Sequence, residues 1–109
     1  MEAALARTFA ALADPTRIAI VARLAHGEAT VKELTEPLTL TQQAVSQHLK
    51  VLEAGGLVTR RQVAQARPAR LEVGRLVEIL AWIDDRRLQW VERHDRLEAY
   101  LRRLDGEER

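Results

Sequence analysis

Read for its spacing of apolar and polar positions, the chain divides into five helical stretches and one pair of extended runs. Leu5, Phe9 and Leu12 recur at i, i+4 and i+7 and predict a helix over residues 2–13. Asp14-Pro15 closes it and opens the next, with Asp14 as N-cap and Pro15 at the first helical position, where its missing N–H costs nothing. That second helix is expected to run to about His26 before Gly27 and to bury Ile18, Val21, Leu24 and Ala25. Thr30-Val31-Lys32-Glu33 has the capping-box pattern and starts a helix of barely two turns, since Pro37 cannot sit inside a longer one.

After the short link Leu38-Thr39-Leu40, Thr41 is a plausible N-cap for a fourth helix. Its inward face is Val45, Leu49 and Leu52, and Gly55-Gly56 offers the left-handed residue that ends it. Two short helices joined by so tight a link must cross steeply, as in a helix-turn-helix. Residues 57–63 and 69–73 then read as two strands around a loop at 64–68. Gly74 is expected to release a long last helix over residues 75–104. Along it Leu76, Ile83, Trp90, Leu97 and Leu104 fall seven apart, flanked at the +4 positions by Leu80, Arg87, His94 and Leu101. So long a stripe exceeds what a small domain can cover by itself, so the helix is expected to pack partly on a partner. No Gly or Pro near Asp84-Asp85 provides a break that would let it fold back. Residues 105–109 are expected to fray.

The outer face of the fourth helix changes this picture from architecture to chemistry. Gln43, Ser46, Gln47 and Lys50 fall together opposite the apolar face, with no acid before Glu53. An ordinary solvated helix carries mixed Glu and Lys there. Amide and hydroxyl groups can donate and accept at base edges, and Gln can pair in a bidentate way with adenine. Gln is also a good helix former, so this face alone leaves a bland surface helix equally open.

Charge tips the balance. The net charge is only +1, but residues 1–40 hold four basic and five acidic groups, residues 41–75 six and two, and residues 76–109 seven and nine. Positive charge is therefore concentrated in the fourth helix and the extended pair, where Arg60, Arg61, Arg67 and Arg70 face one acid, Glu72. An arginine-bearing ribbon directly after a helix-turn-helix reads as a wing for a phosphate backbone or minor groove. It also reads as an edge hairpin kept from aggregating by its charges, and both can hold.

Composition narrows the class further. At 109 residues, 47% apolar and 30% charged, the chain is expected to be one globular domain, residues 1–109, with a core of Leu, Val, Ile and Ala. The absence of Cys excludes disulfides and thiolate metal sites and is compatible with a cytoplasmic protein. With no evident secretion signal and no membrane-length apolar run, the protein is expected to be cytoplasmic. An enzyme is not expected, because no phosphate loop or catalytic triad is present and Ser46 and His48, two apart on a helix, diverge.

Two stretches carry a resemblance. Residues 9–18, Phe-Ala-Ala-Leu-Ala-Asp-Pro-Thr-Arg-Ile, and residues 44–58, from Ala44 to Val58, together resemble the ArsR/SmtB family of small bacterial winged-helix transcriptional repressors. The resemblance implies a mainly α fold with a small β-hairpin: a winged helix-turn-helix of five helices and a two-stranded wing. It further implies a homodimer joined through the first and last helices (Leu5, Phe9, Leu76, Leu80, Ile83, Trp90, Leu97) that binds a near-palindromic double-stranded DNA operator. Thr41, Gln42, Gln43, Ser46, Gln47 and Lys50 match the DNA-reading part, and Arg60, Arg61, Arg67 and Arg70 the wing. His48 matches a position often filled by His, with a packing or phosphate role favoured over base reading.

The chain departs from the family's metal sensors. Where some carry a Cys-rich motif, residues 31–37 have none. The Asp-x-His and His-x-x-Glu pair of others is incomplete, with Asp84-Asp85-Arg86 lacking the first His and Glu98 one place late after His94. The pattern is closest to members that sense no metal, so no cofactor is expected and no effector class follows. A zinc-type repressor using His94 and nearby carboxylates, or a winged-helix module for protein partners, are the alternatives. The wing also lacks the usual turn Gly, and Ala69 stands where an aromatic residue is frequent.

Overall fold

The computed structural model describes residues 2–107. Its elements run α1 (Glu2–Leu12), α2 (Pro15–Leu24), α3 (Val31–Thr35), α4 (Gln42–Ala54), β1 (Val58–Arg60), β2 (Ala69–Leu71) and α5 (Val73–Glu107). The chain forms two compact units, one ending at Leu76 and one starting at Val77, so α5 contributes its first turn to the first unit and constitutes the second.

The helix starts follow the expected chemistry. Asp14 accepts the N–H groups of Thr16 and Arg17 at 2.9 and 3.1 Å, with Pro15 first in α2. Thr30 and Glu33 form a reciprocal capping box on α3, and Thr41 Oγ1 accepts the Ala44 N–H at 3.1 Å to start α4. At the other end of α4, Gly56 takes the left-handed conformation (φ 76°), while its N–H and that of Leu57 return to Glu53 and Leu52. This is the Schellman closure that a double glycine permits.

Val45, Leu49 and Leu52 are fully buried, as their spacing predicts, and form the centre of a core with Ile20, Leu24, Ala29, Leu34, Leu57, Val58, Ala69 and Leu71. Two other faces differ from expectation. In α1 the buried residues are Leu5, Thr8 and Ala11, with Phe9 and Leu12 only half-buried. In α2 they are Ile20 and Leu24, while Ile18 is 54% exposed and Ala25 is exposed as well. Each alternative set is also spaced at i+3 or i+4, so periodicity alone fits both, and in α1 close helix approach selects the smaller residues. Gly55 shows this directly: a Cβ there would lie 2.7 Å from Ala11 Cβ and 3.1 Å from Arg7 O. The backbone of α1 comes that near because Ala11 and Thr8 face it, and Thr8 Oγ1 reaches Gly55 O at 2.7 Å.

The strands are shorter than predicted. β1 and β2 pair antiparallel with Val58 opposite Leu71, Thr59 opposite Arg70 and Arg60 opposite Ala69. Ala29 exchanges both backbone hydrogen bonds with Ala69, so the extended link before α3 adds a third edge to the wing's base. A small residue at 69 suits a position with 0% exposure. At the tip, Val63 and Ala66 exchange hydrogen bonds around a two-residue turn, and Ala64 takes φ 55° where Gly would be favoured. α2 ends at Leu24 rather than His26. Gly74 is the second residue of α5 rather than the residue before it, and the helix continues through Asp105 and Gly106 to Glu107 instead of fraying at 105; Glu108 and Arg109 lie outside the described residues.

Candidate nucleic-acid interface

The outward side of α4 is built by subtraction. Once Val45, Leu49 and Leu52 are committed to the core, Gln42, Gln43, Gln47 and Lys50 stand exposed and Ser46 half-buried. None of these five side chains has a hydrogen-bond or ion-pair partner among the described residues. Amide donors and acceptors displayed on a rigid helix, unspent on the protein itself, are suited to base edges. Thr41 is different: one lone pair of its hydroxyl is already spent on the helix it caps.

The wing arginines divide in the same way. Arg60 donates through Nε and Nη2 to Arg67 O, at 3.2 and 2.9 Å, and so braces the hairpin from strand to strand. Arg61 pairs with Glu28 at 3.4 Å, a mostly exposed contact of small energetic weight. Arg67 and Arg70 are exposed and have no such partner among the described residues, and strand alternation turns Arg70 away from the buried Ala69 and Leu71. Thr59, opposite Arg70, donates to Glu72 at 2.7 Å and occupies that acid.

His48 and Arg17 form a contact that sequence reading missed. Arg17 Nε donates to Ala11 O at 2.6 Å and Nη2 reaches Ala10 O at 3.5 Å, while Nη1 lies 3.3 Å from His48 Nδ1. Because a guanidinium only donates, Nδ1 must be the acceptor, which places the neutral imidazole's proton on Nε2. One side chain thus ties the end of α1 to the start of α2 and to the flank of α4. The only sequence signal was an arginine three residues after an N-cap, which is far too common to have pointed to it. Asp14, beside it, has its carboxyl held below the usual range, first by the Arg17 backbone N–H and then by the Arg17 charge.

The residues matched to a dimer interface separate into two kinds. Leu5 is already covered by its own chain, Phe9 is half-buried, and Leu76 packs against the core. On the part of α5 beyond Leu76, Leu80 (65%), Ile83 (48%), Trp90 (68%) and Leu97 (54%) are open. His94 Nε2 lies 3.3 Å from Glu98 Oε1, one turn along the same exposed helix. Among the described residues, no helix is long and apolar enough to cross a membrane.

Comparison with known proteins agrees with this geometry. Residues 12–61 match a helix-turn-helix domain model. The HTH-type transcriptional regulator Rv2034 of Mycobacterium tuberculosis is 50% identical over 66 residues, covering 61% of this chain and 62% of that protein, so the chain spans less than two thirds of this relative. The HTH-type transcriptional regulator CmtR of Mycobacterium bovis is 38% identical over 91 residues, 76% of each chain. Among solved structures, an ArsR-like transcriptional regulator from Rhodococcus sp. RHA1 matches with 30% identity and TM-score 0.77 over 84% of this chain and 87% of that one. The homodimeric winged helix-turn-helix DNA-binding domain Mb0332 of Mycobacterium bovis matches with 29% identity and TM-score 0.63 over 75% and 79%. The paired caps, the α3–α4 turn, the wing and these similarities lead to one conclusion: the chain belongs to the ArsR/SmtB family of winged helix-turn-helix transcriptional regulators.

Proposed function

We propose that the protein is a homodimeric repressor that binds a near-palindromic double-stranded DNA operator. The observation that carries this reading is the outer face of α4, where Gln42, Gln43, Gln47 and Lys50 stand exposed and unspent beside a wing that keeps Arg67 and Arg70 free. Gln43, Ser46 and Gln47 read bases, Lys50, Arg61, Arg67 and Arg70 hold phosphates, and Arg60 keeps the wing in shape. Two copies joined through α5 place two such faces on one side of the duplex, with half-sites about 34–36 Å apart for one helical turn. The homodimeric state of the similar Mb0332 domain supports the pairing.

Binding to oligonucleotides selected from a random pool, followed by fluorescence anisotropy across salt concentrations, tests this. Gln43→Ala/Gln47→Ala is expected to erase the preference for the selected site while leaving the salt slope intact, and Arg67→Ala/Arg70→Ala, which removes two phosphate contacts from each of two protomers, to flatten the slope by about 3–4 without changing the preference. Unchanged sequence preference in the first variant would sink the base-reading assignment. The response is proposed to be independent of zinc, because the two-segment motif is incomplete: Arg86 stands where the first His would be and Glu98 comes one place late after His94. Release of metal-free protein from its operator by stoichiometric zinc would overturn that.

A further inference from the structure

Ile20 and Leu34 are among the most deeply buried core residues, at 1% and 2% exposure, yet the packing between α2 and α3 does not close beside them. A half-enclosed cavity of about 230 Å³ opens there, lined by Ala19, Ile20 and Arg23 of α2, Leu34 of α3, and Pro37 and Leu38 beyond it. The cavity opens to solvent at Ala19 and Pro37, its floor of Ile20 and Leu34 gives water no hydrogen-bond partner and its dispersion contacts are unmet, and the lining has one polar side chain.

That side chain is Arg23. It spends one N–H on Gly27 O at 3.2 Å and has others left. Glu33 lies within electrostatic reach of Arg23, with its Oε1 engaged by the N–H and hydroxyl of Thr30, and the two side chains form no ion pair among the described residues. We propose that the α2–α3 cavity is a binding site for a small organic anion with a compact apolar body, the class of aryl carboxylates, with its ring in the cavity and its carboxylate on Arg23. A cavity of this volume holds roughly 8–12 non-hydrogen atoms at close-packed density, and a guanidinium matches a planar carboxylate through two parallel hydrogen bonds.

The site lies where it can act on the helix-turn-helix. α3 is only five residues long and is held between its capping box and Pro37, so a molecule wedged against Leu34 shifts α3 against α4. This regulatory consequence rests on the DNA-binding reading; the ligand site itself does not.

Methyl NMR of the full chain without DNA, titrated with phenylacetate and with neutral phenylacetamide, tests the site. Saturable shifts at the Ile20, Leu34 and Leu38 methyls are expected. Arg23→Gln should weaken phenylacetate at least about tenfold and leave phenylacetamide unchanged, and Ala19→Phe, at an exposed position on the rim, should block both. No shifts at millimolar probe, or shifts that persist in folded Ala19→Phe protein, would overturn the proposal. Saturating phenylacetate is further expected to weaken operator binding at least about fivefold, and operator to weaken phenylacetate by the same factor. Unchanged operator affinity would remove the regulatory role, whereas phenylacetate binding by a chain that binds no operator would sink the DNA reading and leave the ligand site standing.

Discussion

The unit ending at Leu76 and the long helix beyond it face opposite shortages. In the first, the core apolar groups find partners within the chain, although Ile18, Val51 and Val73 stay open, and the outer face of α4 displays polar hydrogen-bonding capacity. In the second, the exposed side chains include Leu80, Ile83, Trp90, Leu97, Leu101 and Leu104, on a helix of 35 residues counted from Val73. A surface of unspent amides calls for a polar partner, while a surface of unspent leucines calls for an apolar one. Reading each unit by what it lacks therefore supports the proposal of DNA for one and a second copy of the chain for the other.

The comparison is broken most severely by charging the second unit. Trp90→Glu/Leu97→Glu is expected to raise the dimer dissociation constant at least about 100-fold, since each lost side chain contributes about 1.5–3 kcal/mol of burial. Sedimentation equilibrium should then report monomers, while circular dichroism still shows helical protein. A dimer that survived this change would place the partner surface elsewhere.

The next effect lies inside the first unit and leaves α5 untouched. Gly55→Val forces a Cβ into Ala11 and the Arg7 carbonyl and is expected to cost about 1–3 kcal/mol in urea unfolding at fixed protein concentration. Thr8→Val sharpens the same point: Gly55 O loses its buried donor, at about 1–3 kcal/mol, with no added bulk.

Acid sensitivity is a smaller effect and belongs to the helix caps of the first unit. Asp14 and Glu33 both have carboxyls held below their ordinary values, Asp14 chiefly by the Arg17 N–H and Glu33 chiefly by the Thr30 N–H. A depressed folded-state pKa stabilises the fold at pH values above the unfolded-state pKa, and that stabilisation is lost as pH falls through the folded-state pKa. Thermal melts between pH 6 and pH 2.5 should therefore fall less for Asp14→Asn than for the parent chain. An equal fall would mean that the cap contributes nothing to acid unfolding.

The smallest change is Ala64→Gly at the wing tip. It relieves a left-handed alanine that costs about 1–2 kcal/mol and adds about 0.5–1 kcal/mol of chain entropy, for a net gain of about 0.5 kcal/mol. Operator affinity is expected to stay within twofold, because Arg67 and Arg70 are retained.

Much of the frame was legible from spacing. The caps at Asp14, Thr30 and Thr41 and the closure at Gly56 depend on residues within three to five positions of each other, so the chain announces them locally. The Gln face of α4 was legible for the same reason, because its apolar side had a single consistent reading. The faces of α1 and α2 were not, since Leu5, Phe9 and Leu12 fit a helical stripe as well as Leu5, Thr8 and Ala11 do. Choosing between them needed Gly55, 47 residues from Thr8 along the chain.

By itself, then, the sequence determined where α2, α3 and α4 begin and where α4 ends, which helix displays amides, where positive charge collects and which family the chain resembles. Only the tertiary structure decided which arginines are free. Arg60 and Arg67 carry the same charge in the sequence, but one is consumed in bracing the hairpin and the other is left over. It also decided that Arg17 holds His48 and that a cavity remains beside Ile20. Local propensities act over a few residues, whereas the spending of a hydrogen-bonding group or the closing of a core depends on neighbours that only folding brings together.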